Sequence, residues 1–203
     1  MQRIFLSLAT VLVLSFSIFG QSSAKVVAAS EIIEQFEKGG KIAYENVTVA
    51  GDLDLTNLPN RTNDAVYPEK NKTARVYSAK IAQPMSFKNV VFNGKVDFFR
   101  KAENAREISE YRLQFGSAVV FENCIFNQTV DLELTNFDAA VSFADSVFKA
   151  KPSFIRIGLQ KTPDFTRTIF ENGSIFKNFQ ADQPQNLSAA ALSTFYANYL
   201  KTE

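Results

Sequence analysis

The chain has 203 residues, with 22 Lys and Arg against 21 Asp and Glu, no His and one Cys. The absence of His excludes Ser-His-Asp and Cys-His catalysis and His-ligated metal sites, and a single Cys excludes an internal disulfide. A net charge close to zero gives no general electrostatic basis for binding nucleic acid or an anionic membrane.

The first 24 residues predict a signal peptide. Arg3 provides a positive start, residues 4–19 form an apolar run, and residues 22–24 read Ser-Ser-Ala, which is a small-x-small cleavage site. The run is short for a membrane span, so we expect cleavage and export without stable membrane insertion. Loss of Arg3 leaves 21 basic and 21 acidic residues. The mature protein is therefore expected to be neutral, in the periplasm, outside the cell or in an equivalent lumenal compartment.

Residues 25–41 predict a short capping helix in front of the main body. Ser30 is a plausible N-cap, and Gly39 and Gly40 provide a stop. The apolar positions of this helix fall on one face, namely Ile32, Ile33 and Phe36. Such a helix would cover apolar core and strand edges exposed by the first unit of a stacked structure.

A repeat with an unusual period occupies residues 42–181. One large apolar residue recurs at alternating steps of five and six, which fits neither a helix nor a plain strand. The predicted core residues of this repeat are Phe87, Phe92, Phe98, Phe121, Phe126, Leu132, Phe137, Phe143, Phe148, Phe154, Leu159, Phe165, Phe170 and Phe176. A short period of this kind is typical of a solenoid, in which successive units stack and bury one continuous core.

Each unit of the repeat has a second inward position. A smaller residue lies two before each large one, and positions two apart on an extended segment face the same way. Cys124 is one of these smaller residues, which favours a packing role over a reactive thiol. The polar residues between units, rich in Asn and Asp, predict the corners.

The segments VVFENCIFNQ, VSFADSVFKA and FTRTIFENGSIF resemble the pentapeptide-repeat family, whose units have a central Leu or Phe and a small residue two before it. The resemblance implies an all-β solenoid, a right-handed four-sided parallel β-helix with one unit per side. Two features depart from the family. Phe replaces the commoner Leu, and every second unit has a sixth residue, which must bulge at a corner and lengthen each coil to about 22 residues. A generic right-handed parallel β-helix with broader turns is the alternative.

Two interruptions divide the repeat. Ile42, Val47, Leu53 and Leu58 predict a first coil, after which residues 59–79 break the pattern with polar and turn residues. Residues 99–118 break it again, with helix-forming composition and apolar residues at helical spacing. We interpret both as excursions that leave the body at a corner, rather than as degraded coils.

The interruptions are also the predicted recognition surfaces, because loops on a rigid scaffold commonly bind partners. The second offers Arg106, Tyr111 and Arg112 on the predicted helix as candidate partner-binding residues. The first is mildly basic and contains Tyr67 and Tyr77, which would suit an anionic partner or glycan, although a solvated loop is the simpler interpretation.

Two matching segments carry pairs of acidic residues, GDLDLTN at 51–57 and VDLELTN at 130–136. Asp52 with Asp54, and Asp131 with Glu133, are predicted to point outward on either side of an inward Leu. Paired carboxylates could bind Ca²⁺ or cleave polysaccharide. Ordinary solvated side chains are the favoured interpretation, because no acidic cluster of metal-loop spacing accompanies them.

Residues 182–203 predict a closing helix with a wide apolar face. Covering the last coil is the favoured role, and homodimerisation through the same face is the alternative. The sequence as a whole predicts an exported, non-enzymatic interaction or structural scaffold of the cell envelope without a cofactor, with an unidentified protein partner. A polysaccharide-binding or polysaccharide-cleaving β-helix protein is the second hypothesis.

Overall fold

The computed structural model describes residues 25–177, which form a parallel β-helix with four sides. Each coil passes through one short strand per side and then rises to the next coil. The prediction of an all-β parallel β-helix is confirmed. The predicted signal peptide and closing helix lie outside the described residues, as do the last four residues assigned to the repeat.

The first two sides are built from parallel strands. Side 1 consists of β2 Ile42–Glu45, β7 Met85–Lys88, β12 Val119–Glu122 and β16 Val141–Ser142. Side 2 consists of β1 Lys25–Ala28, β3 Val47–Ala50, β8 Val91–Phe92, β13 Ile125–Phe126, β17 Val147–Phe148 and β20 Ile169–Phe170.

The other two sides complete the cross-section. Side 3 consists of β4 Leu53–Asp54, β9 Val96–Asp97, β14 Val130–Asp131, β18 Ser153–Ile155 and β21 Ile175–Lys177. Side 4 consists of β6 Lys72–Ile81, β11 Glu107–Phe115, β15 Asn136–Phe137 and β19 Gly158–Leu159. Two further strands extend this last sheet, β5 Thr62–Glu69 and β10 Arg100–Glu103.

The strand register confirms the 22-residue coil. Val119 pairs with Val141 on side 1, and Phe137 pairs with Leu159 on side 4, each 22 positions further on. Sides 1 to 2 and 3 to 4 are joined by five-residue steps, and the other two joins take six. The sixth residue therefore belongs to two of the four corners, as the spacing predicts.

Columns of stacked Phe rings fill the interior. The Phe143 ring lies between Phe121 and Phe165, with centroid separations of 5.3 and 5.4 Å and nearly parallel planes. Rings on different sides meet edge to face, as Phe143 of side 1 and Phe154 of the opposite side 3 do at 5.8 Å. Twelve of the fourteen predicted core residues are buried, and the other two, Leu159 and Phe170, are partly buried in the last described strand of their sides.

The small inward residues complete backbone hydrogen bonding at the tight corner between sides 1 and 2. The Ser146 hydroxyl donates to the Phe121 carbonyl at 3.1 Å, and the Thr168 hydroxyl donates to the Phe143 carbonyl at 2.8 Å. The Cys124 thiol occupies the equivalent place, and burial raises its pKa to about 12. A thiol in this state is a poor nucleophile, so Cys124 has a packing role.

The same corner requires a left-handed backbone. Asn46, Asn89 and Asn123 hold φ values of 56°, 54° and 51° in successive coils. Asn tolerates this conformation better than most residues, and here the amides also bond to one another. Asn89 donates to Asn46 at 3.0 Å and Asn123 donates to Asn89 at 2.8 Å. Asp145 and Arg167 continue the column with φ of 59° and 54° and an ion pair between their side chains.

The predicted register of the first coil is wrong by two residues. Tyr44, rather than Ile42, pairs with Phe87, and Val49, rather than Val47, pairs with Phe92. Leu53 pairs with Val96 and so occupies the smaller inward position. Both inward positions of this coil carry medium or large apolar or aromatic side chains, all buried except the partly buried Tyr44, so the spacing alone does not distinguish the two positions.

The predicted helix in the second interruption is also wrong. Residues 100–103 and 107–115 are strands β10 and β11, which pair antiparallel, and β11 pairs parallel with β6 over nine residues. The first interruption likewise forms an antiparallel hairpin, β5 with β6. Ile81 and Phe115 close the coils on side 4, in register with Phe137. Both interruptions are therefore excursions from an unbroken stack, as expected.

A helix covers the first coil at the N-terminal end of the described residues. Helix α1 Ala29–Glu37 begins after strand β1, with Ala28 rather than Ser30 at its N-cap. Its apolar face buries Ile32 and Phe36, and Gly39 ends it at a φ of 67°. The N-terminal cap is thus a strand and a helix, where only a helix was predicted.

We predict that Phe143→Ala lowers the free energy of unfolding by about 3–5 kcal/mol, because it removes a ring packed between two others. The exposed Lys149, six positions after Phe143 at the end of side 2, is the control, and Lys149→Ala should cost under about 0.5 kcal/mol. Urea unfolding followed by circular dichroism measures both variants. Equal losses for the two would contradict the inward assignment.

We predict that Asn89→Ala is more destabilising than Asn89→Gly, although both remove the same amide bonds. Ala must adopt a left-handed conformation there, whereas Gly adopts it freely. After allowance for the greater freedom of Gly in the unfolded chain, the difference should be about 0.5–1 kcal/mol. Thermal unfolding of the pair would reveal it, and a more stable Ala variant would show that the corner is not strained.

Candidate functional site

The two hairpins form one four-stranded sheet that extends side 4 past its corner with side 3. Strands β6 and β11 lie at its centre, and β5 and β10 pair antiparallel along its two outer edges. We call this extension, residues 61–78 and 100–112, the wing. Because four-sided coils turn roughly a right angle at each corner, one face of the wing and the outer face of side 3 line a groove.

Strand alternation assigns the side chains of the wing to two faces. Ala79, Ile81, Leu113 and Phe115 point into the core, so residues of the same parity face the groove. The groove face presents two Tyr rings, Tyr77 and Tyr111, stacked at 5.2 Å. Arg100 and Arg61 lie over the Tyr111 ring at 4.5 and 5.3 Å from its centroid. These cation–π contacts hold two guanidinium groups at the groove surface.

Asn57 anchors both guanidinium groups at the corner where the wing meets side 3. Its side-chain oxygen accepts hydrogen bonds from Arg100 at 2.9 Å and from Arg61 at 3.2 Å. Further out on the same face, Arg75 pairs with Glu107 at 3.1 Å, and Ser109 donates to the same carboxylate at 2.7 Å. The inner part of the wing is therefore cationic and preorganised.

The floor of the groove is a column of aspartates on side 3. Asp54, Asp97 and Asp131 occupy one register position in three successive coils, each between two inward residues, so they point outward. Asp54 accepts hydrogen bonds from the Thr56 amide and hydroxyl, and Asp131 accepts one from the Glu133 amide. The column brings three carboxylates together on the side that adjoins the wing.

The central member of the column has the most perturbed acidity. Burial, followed by the carboxylates of Asp54 and Asp131, raises the pKa of Asp97 to about 6, although Lys95 acts in the opposite direction. Burial also raises the pKa of Asp131, and the Glu133 amide partly offsets this. A half-buried carboxylate between two others is costly to ionise, so Asp97 loses its charge as the pH falls through about 6.

The charges of the wing differ between its two faces. The groove face carries Arg61, Arg75 and Arg100 against Glu107, a net charge of about +2. The opposite face is close to neutral, with the basic residues Lys72, Lys101 and Arg112 and the acidic residues Asp64, Glu69, Glu103 and Glu110. The groove thus has a basic wall and an acidic floor.

The candidate partner-binding residues predicted from the sequence are not brought together. Tyr111 faces the groove, Arg112 lies on the opposite face and pairs with Glu110, and Arg106 is exposed in the turn before β11. The sequence predicts a helix for this segment, whereas the segment forms a strand, and a strand places neighbouring residues on opposite faces. Only Tyr111 belongs to the groove.

The two acidic pairs predicted from the sequence likewise do not occupy equivalent positions in the structure. Asp54 shares its register with Asp131, but Asp52 accepts a hydrogen bond from the Lys95 amide at 2.8 Å and lies at the corner before β4. Glu133 pairs with Arg156 at 2.6 Å on the way to side 4. The missed member is Asp97, and the recurring motif of an apolar residue, Asp and a core residue at 53–55, 96–98 and 130–132 would have found it.

A second concavity lies between α1 and the base of the first hairpin. This cleft of about 260 Å³ is lined by apolar residues, among them Phe36, Leu58 and Ile81, and by Lys80 and Gln83. Within residues 25–177, no group of three or more Cys, Asp or Glu side chains is placed to hold a metal ion. In the same part of the chain, no helix is long and apolar enough to cross a membrane.

Comparison with known proteins gives no match to a family model, a curated protein or a solved structure. Membership of the pentapeptide-repeat family therefore stays a prediction based on the repeat itself.

We predict that Asp97→Asn stabilises the protein by about 1 kcal/mol at pH 7, after the pKa shift is discounted for partial solvent screening. The raised pKa of Asp97 favours the folded state below about pH 4, and that contribution is lost as the pH rises through about 6. The gain of the Asn variant should therefore shrink as the pH falls toward 4. Chemical unfolding between pH 4 and 8 measures it.

Asp138→Asn makes the same chemical change at an exposed position on side 4 and is the control. A gain for Asp138→Asn of the same size and the same pH dependence would show that the column has no special role.

Proposed function

We propose that the protein is an exported, non-enzymatic scaffold that binds a partner protein in the groove between the wing and side 3. The observation that carries this proposal is the wing itself, an extension of side 4 that the β-helix does not need in order to close its coils. Five coils close with strands of two to four residues on most sides, whereas β6 and β11 are ten and nine residues long. The additional length builds a surface instead of a core.

The composition of that surface supports recognition. Tyr and Arg are enriched in the energetically important centres of protein interfaces, and the wing places Tyr77, Tyr111, Arg61 and Arg100 side by side. Their geometry is fixed before binding by Asn57 and by strand pairing. A preorganised surface loses less conformational entropy when a partner binds.

A photo-crosslinking pair tests the location of the partner. Val66 pairs with Arg75 on the groove side of the wing and is 54% exposed, while Ile169 on side 2 is 52% exposed. A benzoylphenylalanine at position 66 should capture the same discrete partner in repeated experiments on native cells. The same probe at position 169 should capture none of it. Equal capture at both positions, or none at 66, would contradict the proposal.

Polysaccharide binding or cleavage is the second candidate, and the acidic floor is the observation that favours it. Neighbouring strands are about 4.8 Å apart, and retaining glycosidases hold their two carboxyl groups about 5–5.5 Å apart. The raised pKa of Asp97 is also of the kind found in general acids.

We predict that the mature protein releases no reducing ends from neutral or uronate-containing polysaccharides between pH 4 and 8. The groove carries guanidinium groups over its aromatic ring, where a sugar would need to stack. Reducing-end assays with the wild type and Asp97→Asn provide the measurement. Release by the wild type that the variant lacks would make the protein an enzyme.

A further inference from the structure

We infer that the ligand of the groove is an extended polypeptide segment of mixed charge, with acidic side chains against the wing and a basic side chain against side 3. The inference rests on the proposed function and names the chemistry of its partner. It follows from the juxtaposition of a basic wall and an acidic floor at one corner of the β-helix.

The wall selects for carboxylates. Arg61 and Arg100 are held over Tyr111 and bonded to Asn57, and Arg61 is exposed while Arg100 is half-buried. Arg presents a planar set of donors that matches a carboxylate. Asn57 supplies no charge, so its hydrogen bonds position the two guanidinium groups without neutralising them.

The floor selects for a cation. Asp54, Asp97 and Asp131 form a single column beside the wing, and Lys95 lies at the corner before the central one. A Lys or Arg side chain placed along the column would lower the mutual repulsion of the three carboxylates. Three coils span about 10 Å, which corresponds to three or four residues of an extended chain.

Other classes of ligand fit less well. Nucleic acids and polyuronates are anionic along their whole length, so the aspartate column would repel them. A neutral glycan binds largely by stacking on exposed aromatic rings, and two Arg groups already lie over Tyr111. A polypeptide is the common biological polymer that carries carboxylates and cations within three or four residues.

Selection from a random 12-residue peptide library displayed on phage tests the inference directly. We expect peptides that contain both acidic and basic residues within a four-residue window to be enriched on the mature protein. Arg61→Glu should weaken binding of the selected peptides at least tenfold, as should replacement of Asp54 and Asp97 by Asn. Lys101→Glu, an equal charge reversal at an exposed position on the opposite face of the wing, should change binding less than twofold.

Each alternative outcome overturns the inference. No enrichment, enrichment of peptides with charges of one sign only, or equal weakening by Arg61→Glu and Lys101→Glu would each do so, and so would displacement of the peptides by polygalacturonate. Circular dichroism of every variant must match the wild type, and the aspartates can be replaced one at a time if it does not. Crosslinking from position 66 that persists while the peptide selection fails would leave the partner in the groove and reject only its mixed charge.

Discussion

The stacking of one Phe ring on the next, coil after coil, is the constraint on which the rest of the structure depends. A ring such as Phe143 contacts its partners above and below only if every coil places a large residue at the same point. Each coil must therefore contribute the same number of residues to the body. Extra residues are tolerated only where they leave and return at one corner, because a mid-strand insertion would unpair backbone groups on both neighbouring coils. Both hairpins leave and return at the corner between sides 3 and 4, and the wing therefore extends from that corner.

The period of the repeat could be read from the sequence because it is local information. Steps of five and six residues between Phe121 and Phe176 require no knowledge of distant contacts, and they predict a stack of short units. The four sides of that stack were implied by the resemblance of these units to pentapeptide repeats, and the sheet order agrees with it. The first coil could not be aligned in the same way. Ile42 and Tyr44 are both inward and large enough for the central position, and only pairing with Phe87 decides between them.

The hairpins and the groove depend on contacts that local patterns do not report. Ile108, Tyr111 and Phe115 have helical spacing, but parallel pairing of β11 with β6 overrides that preference. The groove is harder still to predict from the sequence, because Arg61 and Arg100 come from opposite edges of the wing and contact the same Tyr111 ring. Of the groove, the sequence offered Tyr111 as a candidate, although on a helix, and alignment of the coils across both interruptions would have given the aspartate column.

A neutral chain can nonetheless present strongly charged surfaces when its residues repeat in register. In a solenoid, a charge at one position of a coil is placed directly above the same position of the next, so like charges accumulate in columns that net charge conceals. The column at the corner between sides 1 and 2 begins with uncharged Asn residues instead, and their side-chain amides hydrogen-bond to one another. The aspartate column has no such internal pairing and raises the pKa of its central member. Asn at Asp97 would relieve that repulsion without disturbing the core. The aspartate column thus destabilises the protein, and a single substitution would remove its effect. Such a column next to a cationic wall is expected of a surface that is selected for binding and not for stability.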